Sequence, residues 1–529
     1  MTLTQRGCHQ YVQDFTGGIF LAVINKNLSK KNQGIYIMTD TRENWSSRSG
    51  FIIAAVGSAV GLGNIWRFPY VAYENGGGAF LIPYLLALIT AGLPLLFLDY
   101  AVGHRSNSSP PKAYRKLFKG GETLGWWQVC VCIVIGLYYA SVLTWAGSYI
   151  YFSVGQMWGS NPEDFFFNTY LQTSKASGLD LTFVSHLFWP ILGIWALTLI
   201  ILYGGVKKGV ELSNKIFMPL LFVLFTILVI QSLRLPGAVE GLNAFFTPNW
   251  AAMMDYKVWL AAYGHTFFSL SVGFGIMVTY ASYLKPKTNL TGSGLIVGFA
   301  NASTEILAGI GIFAALGFMA HAAGSEVKEV VSGGIGLAFI AFPKIISSLG
   351  AGADLFGLLF FSSLFVAGIS SMVSILEVPI AAMQDKLKWG RKKAVTIIGG
   401  GSAVVSIFLF SSVNAIKLVD IIDHFINNIG IIGGALLSII SVAWFKRTAL
   451  KALRDHVNRI STIQLGKGWD FTLTVITSLI LLTTLSMTVY NLIKNGYDTY
   501  SASLLGIFGW GSVLFCAVIA VVLSKMKDR

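Results

Sequence analysis

Apolar runs long enough to cross a bilayer recur along nearly the whole chain, and they restrict its fold more than any other feature. A spanning helix needs about 20 mostly apolar residues. Runs of that kind lie at about 50–73, 79–103, 126–157, 183–203, 214–232 and 258–284, and again at 292–322, 353–384, 394–411, 418–445, 470–493 and 503–524. They predict an all-α membrane protein with 12 transmembrane helices, since a helix satisfies its backbone polar groups within one segment. The stretch 330–349 is apolar but short and Gly-rich. It is read as an external hairpin that dips toward the pore, not as a thirteenth span.

Composition agrees. Only 12% of the 529 residues are charged, against about 25% in soluble domains, which excludes an ordinary soluble enzyme. The 54% hydrophobic content excludes disorder, which needs low hydrophobicity and high net charge. The net charge of +14 raises a nucleic-acid partner, but its distribution gives another explanation. Twelve spans put both termini on one side. Of the 38 Lys and Arg, only Arg67, Lys175, Arg234, Lys257, Lys328, Lys344, Lys417 and Lys494 fall on the other side. The positive-inside rule then makes the termini cytoplasmic. The partner is a lipid bilayer, with no nucleic acid. Cys8, Cys130, Cys132 and Cys516 have neither zinc spacing nor a disulfide framework. No nucleophile–base pair or metal set points to an intramembrane enzyme.

Spans 1 and 6 carry the most specific signal. Each contains V-G-x-G near its middle, Val60 to Gly63 and Val272 to Gly275. Each glycine costs a helix about 1 kcal/mol relative to alanine, so both spans are expected to unwind there. Such backbone at membrane depth is tolerated only beside protein or a water-filled cavity. Span 6 comes five after span 1, an odd offset, so the two cross in opposite directions. Matching interrupted helices in two halves point to an inverted-repeat transporter with a site at the midplane. A glycine packing face is the plainer alternative. A nucleotide loop fails for want of a third glycine and a preceding strand. The layout is a 5+5 inverted repeat, with repeat one at about 48–232, repeat two at about 258–445, and two C-terminal helices at 470–524. Residues 1–37 look unlike the rest. Met38 is read as the translation start, with 1–37 a non-native extension or else a disordered cytoplasmic arm.

Longer motifs surround these breaks. Arg42-Glu43-Asn44-Trp45 precedes span 1. Gly61-Leu62-Gly63-Asn64-Ile65-Trp66-Arg67-Phe68-Pro69 runs through it, and Glu74-Asn75-Gly76-Gly77-Gly78-Ala79-Phe80 follows. Tyr138-Tyr139 lie in span 3, Ser269 to Gly275 in span 6, and Ala367-Gly368-Ile369-Ser370-Ser371 in span 8. On these motifs the chain, over about 42–526, resembles the prokaryotic amino-acid transporter branch of the neurotransmitter:sodium symporter family, with its leucine-transporter-type fold.

The resemblance implies symport by alternating access, two sodium ions accompanying an α-amino acid. One ion is expected near the Ala59 carbonyl, Asn64, Ser269 and Asn301, with the substrate carboxylate completing the shell. The other is expected near the Gly57, Val60 and Ala367 carbonyls and the Ser370 and Ser371 hydroxyls. The substrate carboxylate would face the Leu62 and Gly63 amides, at the positive end of a half-helix, and the Tyr139 hydroxyl. Its amino group would meet groups at Ser58, Ala59, Phe268 and Ser271. Ile135, Phe268, Phe274, Ser371 and Ile375, with Val142 and Ser374 nearby, would enclose the side chain. That lining favours a hydrophobic or aromatic amino acid; packed core is the plainer reading of the same residues. Gly61 stands where monoamine-carrying members have an aspartate, so a substrate without its own carboxylate would leave the first ion short of a ligand.

By the same resemblance, Arg67 and Asp423 form an outer gate, and Arg42 and Asp385, braced by Trp45, an inner one. Glu305, four residues after Asn301, can share its helix face. It stands where chloride-dependent members have serine, so its carboxylate would replace chloride. His265 occupies a position the family usually gives to glutamine, beside the same pocket. The expected location is the plasma membrane of a bacterium (the inner membrane), multi-pass. Association of copies into a homo-oligomer is left open. A receptor with a degenerate transporter fold and a channel are the rival readings; intact Asn64, Asn301, Ser370 and Ser371 speak against the first, and paired gates against the second.

Overall fold

The computed structural model describes residues 42–176, 178–331 and 333–528; the reading of residues 1–37 lies outside them. The chain divides into two units, Met1–Glu43 and Asn44–Arg529, and all of the architecture below belongs to the second.

Twelve membrane elements follow in order. The first, α1, is a broken span, Arg48–Ala59 and Leu62–Glu74, bent by 54°. Then come α2 (Gly78–Ser106), α3 (Gly121–Phe152), α4 (Ser185–Tyr203) and α5 (Val206–Leu233). The sixth, α6, is again two helices, Tyr256–Ser269 and Ile276–Ala281. The rest are α7 (Leu290–Ala323), α8 (Ala353–Leu387), α9 (Arg391–Phe410), α10 (Ala415–Phe445), α11 (Lys467–Asn495) and α12 (Ala502–Lys525). Ten of these are each long and apolar enough to span alone, and α1 joins them as a bent pair. Both glycine-bearing spans therefore unwind where the sequence predicts.

The other bounds fall close to the expected ones, except at α5. It begins at Val206 rather than near 214, because its charged first turns are helical. Glu211 there is buried and engages Lys215 at 2.7 Å and the Ser46 N–H at 2.8 Å. Most of the short apolar stretch is helical too, over Gly334–Ser348. Gly333 approaches Tyr70 so closely that a Cβ on it would lie 2.7 Å from the ring.

Burial separates an inner group of helices from an outer one. The apolar windows of α3 and α8 are 83% buried, while those of α11 and α12 are 22% buried. The latter present Leu482, Leu514, Phe515 and Val518 outward, as lipid-facing helices do. The unwound part of α6 lies among the inner helices, and its backbone is satisfied by neighbouring side chains. Asp99 on α2 accepts the Gly273 N–H at 3.0 Å. Gln128 on α3 donates to the Gly273 carbonyl at 3.1 Å. Gly273 has φ +83°, and a Cβ there would meet that of Ala435 at 2.5 Å, so the position needs glycine twice over.

Candidate functional site at the two broken helices

The first half of α1 ends in a set of carbonyls that the helical ladder no longer serves. The Val56 carbonyl takes the Val60 N–H at 2.7 Å. The Gly57 carbonyl takes the Ser370 hydroxyl at 2.8 Å. The Ser58 carbonyl takes Ser271 at 3.0 Å and Ser371 at 3.4 Å. Among the described residues, no hydrogen bond ends on the carbonyls of Ala59 or Val60. An unpaired buried carbonyl is costly, and each of these two is an oxygen that the sequence reading gives to one of the ions. The same two serines also reach the Ala367 carbonyl on α8, Ser370 at 2.8 Å and Ser371 at 3.3 Å.

The other polar group is centred on Glu305, which is wholly buried. One carboxylate oxygen accepts from Ser269 at 2.6 Å and from Asn64 at 3.1 Å, and meets His265 Nε2 at 2.8 Å. The other takes the hydroxyl of Tyr84. Asn64 also donates to the Asn301 amide oxygen at 2.8 Å, and its own oxygen accepts the Gly61 N–H at 2.9 Å. Asn301 donates to Ser269. Three of the predicted first-ion residues, Asn64, Ser269 and Asn301, are thus one hydrogen-bonded group, with Glu305 and His265 inside it. Tyr84 is not predicted from sequence; it lies on α2 outside any motif, and only three-dimensional packing brings it here. An ionised carboxylate only accepts, so with Glu305 ionised His265 Nε2 is the donor in this contact.

Between these groups opens a cavity of about 790 Å³. All twelve expected substrate-contacting residues line it: Ser58, Ala59, Leu62, Gly63, Ile135, Tyr139, Phe268, Ser269, Ser271, Phe274, Ser371 and Ile375. Val142 joins them. Ser374 does not line it; its hydroxyl is used inside the helix bundle, with Tyr280 at 2.7 Å. Leu62 and Gly63 open the second half of α1, so no carbonyl one turn earlier takes their N–H groups. A Cβ on Gly61 would lie 2.9 Å from Ser371 Oγ and 3.5 Å from the Tyr139 hydroxyl; the missing side chain leaves room between the hydroxyls.

The gate residues are placed differently from one another. Arg67 and Asp423 both line the cavity, but they are not within ion-pair distance. The Arg67 guanidinium lies 5.0 Å from the centre of the Phe268 ring. Asp423 Oδ1 accepts from Tyr138 and Asn427, each at 2.7 Å. The expected outer pair is therefore parted in this structure. Trp45 is buried and donates its indole N–H to the Tyr280 carbonyl at 2.8 Å. Asp385 accepts the backbone N–H and hydroxyl of Ser109, each at 2.6 Å. Arg42 belongs to the N-terminal unit.

A helical membrane protein with two broken spans around one shared cavity has the build of a secondary transporter. The family model for the sodium:neurotransmitter symporters matches residues 42–160 and 155–527. An uncharacterised sodium-dependent transporter of Methanocaldococcus jannaschii is 41% identical over 488 residues, 92% of this chain and 98% of that one. The sodium- and chloride-dependent neutral and basic amino acid transporter B(0+) of Mus musculus is 30% identical, over 92% of this chain and 85% of that one. The crystal structure of MhsT in complex with L-phenylalanine superposes with a TM-score of 0.70 at 34% identity, covering 84% of this chain and all of that one. The chain belongs to the sodium:neurotransmitter symporter family. It is a multi-pass, sodium-dependent membrane transporter, not an enzyme.

Proposed function

We propose that the protein imports a hydrophobic or aromatic α-amino acid with two sodium ions, without a requirement for chloride. The observation that carries this reading is the pair of unserved carbonyls, Ala59 and Val60, at the break in α1. Ala59 lines the cavity together with Asn64 and Ser269, and the Gly57 carbonyl, three residues before Val60, takes the Ser370 hydroxyl. Lone-pair oxygens held without donors suit cations. The cavity between them is walled by Ile135, Val142, Phe268, Phe274 and Ile375, which suits an apolar side chain, and MhsT is a relative whose structure holds L-phenylalanine. The lysine and arginine distribution supports cytoplasmic termini in a plasma membrane, with repeats of opposite sense at 48–232 and 258–445. Each sodium entering down a potential of 100 mV then contributes about 2.3 kcal/mol to concentrating the substrate. Uptake into proteoliposomes, driven by a sodium gradient and competed by all twenty amino acids, tests the reading. Accumulation that ignores the sodium gradient would refute it.

Two outcomes follow from the site's geometry. With no acid at Gly61, the substrate must bring its own carboxylate. Tryptamine and tyramine are therefore expected to compete at least about tenfold less well than tryptophan and tyrosine, the loss of one charge-assisted contact. Equal competition would show that the carboxylate is not part of the ion shell. Arg67→Ala removes both the partner for Asp423 and the cation over Phe268. Transport is expected to fall by about tenfold or more, with substrate binding much less affected because Arg67 lies outside the ion groups. A variant that loses binding and transport equally would place Arg67 in the substrate site instead.

A further inference from the structure

We infer that Ser374 and Tyr280 are positioning residues that link the second ion group to the inner end of α1, an inference that rests on the assignment of that group as a sodium site. Four consecutive hydrogen bonds carry it. The Trp45 indole N–H donates to the Tyr280 carbonyl at 2.8 Å. The Tyr280 hydroxyl donates to Ser374 Oγ at 2.7 Å. Ser374 Oγ donates to the Ser370 carbonyl at 2.9 Å. The Ser370 hydroxyl donates to the Gly57 carbonyl at 2.8 Å. The chain begins three residues before α1, crosses the second half of α6 and α8, and returns to α1 just before its break. Tyr280 and Ser374 are both fully buried, so no water competes for these bonds.

A serine bonded to the carbonyl four residues earlier is common in helices and by itself says little. Here the same oxygen also accepts from a tyrosine on another helix, so the bond to Ser370 is polarised and its direction fixed. Trp45 adds a second hold on α6: its backbone N–H donates to the Tyr283 carbonyl at 3.1 Å, and its ring meets that of Tyr280 edge-on with centres 5.1 Å apart. An ion drawing Ser370 Oγ and the Gly57 carbonyl inward shifts the α8 turn that Ser374 holds. Tyr280 passes that shift to Trp45. Sodium at one end then favours a docked Trp45 at the other, through a contiguous path.

The test compares hydrogen–deuterium exchange of residues 44–56 with and without sodium in the full-length protein, alongside direct sodium binding. In the unaltered protein, sodium is expected to slow exchange there by roughly tenfold, a usual size for coupling between two sites. Ser374→Ala and Tyr280→Phe are expected to bind sodium and substrate normally yet lose most of that protection, and Ser374→Thr to restore it. Full sodium protection in Ser374→Ala overturns the inference. So does loss of sodium binding in that variant, which would make Ser374 part of the ion site. Ser370→Ala reports on the site alone: retained binding there refutes the ion assignment, whatever Ser374→Ala shows.

Discussion

Asn64→Ala and Asn301→Ala are each expected to raise the sodium concentration for half-maximal substrate binding by roughly ten- to a hundredfold, matching the ~1.5–3 kcal/mol of one contact to a charged group. Asn64 should be the more severe. Its oxygen also accepts the Gly61 N–H, and its amide donates to both Asn301 and Glu305. Truncation therefore removes a proposed ligand oxygen and releases the backbone where α1 is broken. Asn301 is buried and holds Ser269, so its loss removes one oxygen and loosens a second. Substrate-binding isotherms at a series of sodium concentrations give the shift directly. If saturating sodium restores full binding, the effect lies in the ion shell; unchanged midpoints in both variants would dismiss the first ion site as drawn.

The second large effect concerns Glu305. Uptake by the unaltered protein should persist when chloride is replaced by gluconate. Glu305→Ser should fall by about tenfold or more in gluconate and recover with chloride. Four donors converge on the carboxylate, from Asn64, Tyr84, Ser269 and His265. Serine leaves them aimed at a space stripped of its negative charge, and buried donors without an acceptor are costly. A small anion would satisfy them and restore the negative charge opposite the proposed first sodium ion. An isosteric Glu305→Gln keeps acceptor atoms but fills the space, so it should lose transport without gaining a response to chloride. Indifference of Glu305→Ser to chloride would overturn the compensation argument, as would a chloride requirement in the unaltered protein.

Much of this is legible in the sequence because membrane physics leaves few options. Twenty-residue apolar runs can only be spans, and paired glycines at the same depth in spans 1 and 6 read as breaks from residue order alone. The first turns of α5 escape such a reading because Lys207, Lys208 and Glu211 resemble a loop; Glu211 is helical and buried because Lys215 and Ser46 pair with it. Tyr84, Asp99 and Gln128 are invisible in the sequence for a different reason. Each acts on a helix distant along the chain, and one polar residue on an apolar span carries no signal of its partner. Ser374 is a different case: the resemblance puts it near the pocket, and only the structure shows that its hydroxyl serves Tyr280 and Ser370.

Asp423 carries a consequence for speed. Its Oδ1 already holds the Tyr138 hydroxyl and the Asn427 amide, each at 2.7 Å, while Arg67 rests against Phe268. If Arg67 and Asp423 close as the proposed outer gate, the pairing does not rescue a bare charge. Asp423 already holds two hydrogen bonds, each worth about 1.5–3 kcal/mol when the carboxylate is charged, and Arg67 gives up its ring contact to reach it. Part of the ion pair's gain is offset in this way, so a gate that opens in every turnover climbs out of a shallower well. Phenylalanine at Tyr138 would deepen that well: Asp423 would bind Arg67 more eagerly, and the cycle would slow at reopening.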